Sequence, residues 1–214
     1  MRILMARHGQ TEWNLAGRIQ GIEDSPLTAL GIEQARAVGQ AWRGSGIRHI
    51  HSSPLGRAMD TARHAAEGLG AECFDDPGLV ERAFGRYEGM PIAELREQET
   101  DWEPIILGTR PELAAPGGET LLQVADRVEA AVRKLAADSD QATLGIVSHG
   151  HCLLALAWRL GGQPDDIRQF HHRNASYSEL EWMDGKLRLL RWAVADHLVG
   201  DESGLSAPAS FAAR

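Results

Sequence analysis

The stretch Ile3-Leu4-Met5-Ala6-Arg7-His8-Gly9 decides how the rest of the chain is read. Four apolar residues bounded by charge form the pattern of a short strand buried on both faces of an α/β sheet. Arg7 interrupts the run far too early for a signal-peptide core or a membrane span. Open α/β sheets bind ligands beyond the carboxyl ends of their strands, where Arg7 and His8 fall. Gly9 then lets the backbone turn sharply, so that a ligand can come close.

Working outward, Thr28 caps a helix expected over 28–44, with Ala35, Val38 and Trp42 on one face and Gly44-Ser45-Gly46 ending it. A second strand follows over 47–52. Ser53-Pro54 reads as the start of the next helix, because a serine oxygen caps free amides and proline suits the first helical position. That helix runs to about Gly68 and carries Arg57 in its first turn. Residues 90–118 are less regular and rich in Glu and Pro, a candidate lid insertion that covers or flanks the site.

Thr120-Leu121-Leu122-Gln123 is a capping box, and Leu121, Ala125, Val128, Val132 and Leu135 follow at helical spacing. A strand over 143–147 leads to a helix over 152–160 that is apolar almost all round, as a helix packed against a sheet would be. Segments 177–182 and 186–192 around Asp184-Gly185 read as a hairpin. The alternation predicts an α/β fold: a three-layer α/β/α sandwich with a mostly parallel sheet and a small lid insertion. One domain over 1–199 and a poorly specified C-terminal tail over 200–214 are expected.

The chain has 214 residues, a net charge of −8 and a pI of about 5.6. Such a field repels nucleic acid and anionic membranes, so an anionic substrate has to be gathered by a local cluster of cations. Cys73 and Cys152 lack CxxC spacing and read as reduced thiols, which points to a cytoplasmic location. His151 and the pair His171-His172 raise the question of a metal. With no HExxH and no closely spaced His and carboxylate set, neither metal nor cofactor is expected. Self-association into a homodimer is left open.

Three strand ends converge in this reading: Arg7-His8-Gly9, Ser52-Ser53 and Ser148-His149-Gly150. With Arg7 to Asn14, Ser52 to Ala58 followed by Thr61-Ala62, Leu79 to Gly85, and Val147 to Gly150 in that order, the chain resembles the histidine phosphatase superfamily, also called phosphoglycerate mutase-like. The resemblance runs from Met1 to about Trp192. It implies that His8 accepts the phosphoryl group and that His149 is the second active-site histidine. It further implies that Arg7, Arg57 and Asn14 hold phosphate, that the Gln20-Gly21 loop lies beside it, and that Glu81 is the proton donor.

Physical chemistry gives each assignment a reason. A neutral imidazole attacking phosphorus in line splits one hard displacement into two easier ones. Arg7 and Arg57 disfavour further positive charge on His8, and they stabilise the spreading phosphoryl charge, each donor contributing about 3–4 kcal/mol. The helix start at Ser53-Pro54 adds amides and a favourable dipole. A protonated Glu81 can supply the proton that the leaving alkoxide needs, then take one from water.

Bland readings stand beside these: Glu81 paired with Arg82 or Arg86, His149 as a core histidine, and Arg57 paired with Asp60. Residues 90–118 hold no lysine and only Arg96 and Arg110 as cations, amid several carboxylates. That balance disfavours a mutase, which has to hold a substrate carboxylate. The expectation is a phosphomonoesterase acting on small phosphorylated metabolites such as sugar phosphates or phosphoglycerate-like acids. The alternatives are phosphoglycerate mutase-type transfer, or a non-catalytic phosphate-binding regulator on the same scaffold.

Overall fold

A computed structural model describes residues 1–198; the tail expected over 200–214 lies outside them. In chain order the elements are β1 (Arg2–Arg7), α1 (Glu12–Leu15), α2 (Ala29–Ala41), β2 (His49–Ser52), α3 (Gly56–Glu67) and β3 (Glu72–Asp75). Two short helices follow, α4 (Ile92–Gln98) and α5 (Trp102–Leu107), then α6 (Leu121–Asp138), β4 (Thr143–Ser148), α7 (Gly150–Leu160), β5 (Tyr177–Met183) and β6 (Lys186–Val194). The strands form one six-stranded sheet in the order β3-β2-β4-β1-β5-β6. Pairings β3-β2, β2-β4 and β4-β1 are parallel, while β1-β5 and β5-β6 are antiparallel.

The expected three-layer sandwich follows from the two-residue period of β1. Ile3 and Met5 pack with Leu144, Ile146 and the inner faces of α6 and α7. Leu4 and Ala6 point the other way, into a cluster with Val38, Trp42, Ile50 and the alanines of α3. Each fully buried Ile or Leu contributes about 1.5–3 kcal/mol, which is why a strand apolar on both faces belongs at the middle of the sheet. On β4, Gly145 makes room for Trp42: a Cβ there would lie 3.3 Å from the indole and 3.1 Å from Ile50.

Several local expectations need correction. The helix after Ser53-Pro54 begins at Gly56 with Leu55 at its cap, and the Ser53 hydroxyl accepts from the Leu55 amide instead (3.3 Å). The amide of Arg57, in the first turn, donates weakly to Asp24 (3.4 Å). Residues 90–118 are more regular than their composition suggests. They carry α4 and α5 over a third small core in which Leu95, Trp102 and Ile105 pack with Ile19, Phe84 and Tyr87. Edge strand β3 went unpredicted. The Thr120 capping box and the Asp184-Gly185 turn, with φ of 51° and 71°, are as expected.

Candidate active site

The carboxyl ends of β1 and β4 lie side by side, with Arg7 paired to Ser148 in register, so His8 and His149 leave adjacent strands together. Their ring centroids are 5.2 Å apart. Both histidines are buried, as are Arg7 (4% exposed) and Arg57 (1%). A cavity of about 110 Å³ opens here, lined by Arg7, His8, Asn14, Gln20, Gly21, Arg57 and Glu81 among others. Every expected site residue except His149 contributes to its wall, and the His149 ring lies against that of His8, tilted by 58°.

The backbone holds His8 in one tautomer. Its Nδ1 lies 2.7 Å from the Gly9 carbonyl, which can only accept, so Nδ1 carries the proton and Nε2 is the basic nitrogen. Burial, reinforced by Arg57 and Arg7, holds the imidazole well below the ordinary histidine pKa. At neutral pH the ring is uncharged, with its lone pair on Nε2. The Gly9 amide donates to Thr61 Oγ1 (3.0 Å), and a Cβ on Gly9 would collide with the Gly31 carbonyl at the start of α2. Glycine is required there by close approach of two backbones.

Both arginines are tethered before any ligand arrives. Arg7 donates to the His172 carbonyl (3.0 Å), and burial together with Arg57 lowers its pKa to about 10, still a cation at neutral pH. Arg57 donates through Nη1 to the Glu23 carbonyl (2.7 Å) and Asp24 (2.9 Å), and through Nη2 to the Gly21 carbonyl (2.6 Å). Its ion-pair partner is therefore Asp24; Asp60 pairs with Arg63 instead. Among the described residues the buried Arg7 Nε, Arg57 Nε and both ring nitrogens of His149 have no hydrogen-bond partner. Buried polar atoms in that condition call for a polar ligand, and guanidinium donors match an oxyanion.

Glu81 sits where α7 begins. Its Oε1 accepts from the Arg82 amide (2.9 Å) and the His151 amide (3.2 Å), the latter an otherwise unsatisfied first-turn donor of α7. A Cβ built on Gly150 would lie 3.7 Å from both Glu81 Oε2 and Arg7 Nε, so carboxylate and guanidinium flank the same point. The side chain of Arg82 does not pair with Glu81. It donates to three carbonyls, of Ile105, Leu113 and Glu119, while Arg86 pairs with Glu99.

Asn14 is oriented by its acceptor end. Its Oδ1 takes hydrogen bonds from the Thr11 amide (3.2 Å) and Asn174 Nδ2 (3.1 Å), leaving the NH₂ end for a ligand. Gln20 Oε1 likewise accepts from the Thr11 hydroxyl (3.0 Å). Sequence reasoning missed Asn174. Buried at 3% exposure, it donates also to the carbonyls of His8 (3.1 Å) and Gly9 (3.3 Å), linking both to Asn14. No spacing or composition marks a single Asn in the 171–176 loop.

Among the described residues no cluster of three or more His, Cys, Asp or Glu side chains has the arrangement of a metal site. No helix there is long and apolar enough to cross a membrane. Burial pushes the Cys152 thiol up, and it donates to the Val80 carbonyl.

Known proteins share the sequence and the fold. Residues 3–195 match the model of the histidine phosphatase superfamily (branch 1). A probable phosphoglycerate mutase, GpmB, of Proteus mirabilis is 35% identical over 207 residues, covering 96% of this chain and 95% of that protein. The structure of a mycobacterial glucosyl-3-phosphoglycerate phosphatase superposes with a TM-score of 0.80 at 31% identity, covering 90% of this chain and 99% of that one. The alpha-ribazole phosphatase of Shigella flexneri superposes with a TM-score of 0.77 at 27% identity, covering 91% and 96%.

Proposed function

Because the chain belongs to the histidine phosphatase superfamily (branch 1), we propose that it is a phosphomonoesterase working through a phosphohistidine on His8. In the first step His8 Nε2 attacks phosphorus, the P–N bond forms and the ester P–O bond breaks. Glu81, through Oε2, gives its proton to the departing alkoxide. In the second step water attacks the phosphohistidine and gives its proton back to Glu81, and inorganic phosphate leaves as the P–N bond breaks. Arg7, Arg57, Asn14 and His149 hold the phosphoryl oxygens in both steps, with Gln20 and Gly21 shaping the loop beside them.

The single observation that carries this reading is the hydrogen bond from His8 Nδ1–H to the Gly9 carbonyl. It commits the opposite nitrogen to be the lone-pair donor, beside two buried guanidinium groups. The names of relatives favour a second reading, phosphoryl transfer of the mutase type. Against it, neither cation of the 90–118 segment reaches the cavity. Arg96 packs over the Trp102 ring and Arg110 pairs with Glu112 on the surface.

Purified protein given a panel of phosphomonoesters with chelator present should release inorganic phosphate, and acid-sparing mass spectrometry should find phosphate on His8. His8→Ala should abolish both. Movement of phosphate between the carbons of phosphoglycerate much faster than its release to water would replace the phosphatase reading with the mutase one. Loss of activity in chelator would require a metal.

A further inference from the structure

We infer that the organic half of the substrate is apolar: the cavity selects phosphate esters of aryl-bearing or branched aliphatic alcohols over esters of sugars, glycerol or hydroxy acids. This rests on the phosphomonoesterase reading and extends it to the portion of the site beyond the phosphate.

The cavity lining is of two kinds. One part is the arginines, His8, Asn14 and Gln20; the other half is apolar, with Ile19, Phe84, Ile92 and Ile106 from one small core together with Leu107 and Leu154. Ile19, Phe84 and Leu154 are buried, whereas Ile92, Ile106 and Leu107 remain partly exposed at the opening. An ester whose phosphate sits on the arginines has to run its alcohol along this wall. Hydroxyl groups placed against these six side chains would give up water for hydrocarbon, while methylene or ring carbons would gain by burial.

The polar groups in this half are imidazoles, uncharged at neutral pH, whose N–H groups are taken up by main-chain carbonyls. His151 donates from Nε2 to the Ile106 carbonyl (2.9 Å), and His171 donates from Nε2 to the Leu107 carbonyl (3.2 Å). His172 makes a hydrogen bond from Nδ1 to the Phe170 carbonyl (3.2 Å). Burial holds all three imidazoles below the ordinary range, His172 at about 3, so at neutral pH none is a cation for a carboxylate. Arg18 is the one further cation on the lining, exposed at the mouth and donating from Nη1 to the Gly89 carbonyl (2.9 Å). A second anionic group on the substrate thus meets hydrocarbon, uncharged imidazoles and one rim guanidinium.

The test compares kcat/KM for benzyl phosphate, 3-methylbutyl phosphate, methyl phosphate, glycerol 3-phosphate and 3-phosphoglycerate. All are esters of aliphatic alcohols, so the apolar members gain no advantage from a phenolate leaving group. Benzyl and 3-methylbutyl phosphate should exceed glycerol 3-phosphate and 3-phosphoglycerate by about 10-fold or more, the discrimination that one or two buried carbons supply. Ile92→Asn and, separately, Leu107→Asn should each lower the benzyl-to-methyl ratio several-fold. Two positions in different helices guard against a folding defect in one. Equal or better turnover of glycerol 3-phosphate or 3-phosphoglycerate, with His8 still phosphorylated, would overturn the apolar inference alone. Absence of phosphohistidine with every ester would overturn the underlying reading as well.

Discussion

Replacing Asn174 by alanine separates positioning from stability. Asn174 Nδ2 donates to the His8 carbonyl, the Gly9 carbonyl and Asn14 Oδ1. If all three acceptors were orphaned in the interior, each would cost about 1–3 kcal/mol, up to about 9 in total. They are not orphaned. The His8 carbonyl keeps the Ala175 amide (3.1 Å), the Gly9 carbonyl keeps His8 Nδ1 (2.7 Å) and Asn14 keeps the Thr11 amide (3.2 Å). Only the net worth of the bonds is lost, so Asn174→Ala should unfold about 2–3 kcal/mol more easily in urea. Released from this tie, the His8 backbone and the Asn14 amide can shift relative to each other, and a misplacement of about 1 Å costs up to about 100-fold in rate. Steady-state kinetics should show kcat down about 10- to 100-fold with a smaller change in KM. Asn174→Asp keeps the volume but sets a carboxylate against three oxygen acceptors, and should be worse in both respects. A stability loss of this size with kcat intact would reduce Asn174 to a packing residue and refute the positioning argument.

Acid should destabilise the protein early. His8, His149, His151 and His172 all have folded-state pKa values depressed by burial, so below about pH 6.5 the unfolded chain binds protons that the folded state does not. Stability is then full above that pH and falls as pH drops, by up to about 1.4 kcal/mol per unit for each histidine. Urea unfolding that is unchanged between pH 7 and pH 5.5 would contradict it. Arg82→Leu removes three hydrogen bonds from a buried cation to carbonyls and should cost about 3–5 kcal/mol. Residues 90–118 should then be cut faster in limited proteolysis, and cleavage at the native rate would show that the clasp does not hold them. Gly9→Ala, which sets a methyl against the Gly31 carbonyl, should remove most activity by displacing His8; kinetics like those of the unaltered protein would mean that α2 yields easily.

What was legible in the sequence was what local chemistry encodes. The apolar run of β1, the Thr120 capping box and the Asp184-Gly185 turn each carry their own signal, and the strand ends placed Arg7, His8 and His149 together. The missed features depend on distant partners. Strand β3 is a half-exposed edge reading Glu-Cys-Phe-Asp, with no alternation to betray it. Helices α4 and α5 are held by the small core around Leu95 and Trp102 more than by any periodicity of their own. Asp24 reaches Arg57 from 33 residues away in sequence. Asn174 matters only because a loop 166 residues after His8 returns beneath it.

The clasp made by Arg82 bears on how this site can diverge. Glu81 and Arg82 are neighbours in the chain, so whatever fixes one constrains the other, and Arg82 hydrogen-bonds main-chain carbonyls while its guanidinium lies over the Phe84 ring. Side chains at 92, 106 and 107 can therefore be exchanged without disturbing the grip, provided that the backbone path is kept. Selectivity becomes a replaceable module fastened to an unchanging carboxylate. A lineage of such proteins could move from one ester to another by a handful of substitutions, each leaving the bond-breaking apparatus in register.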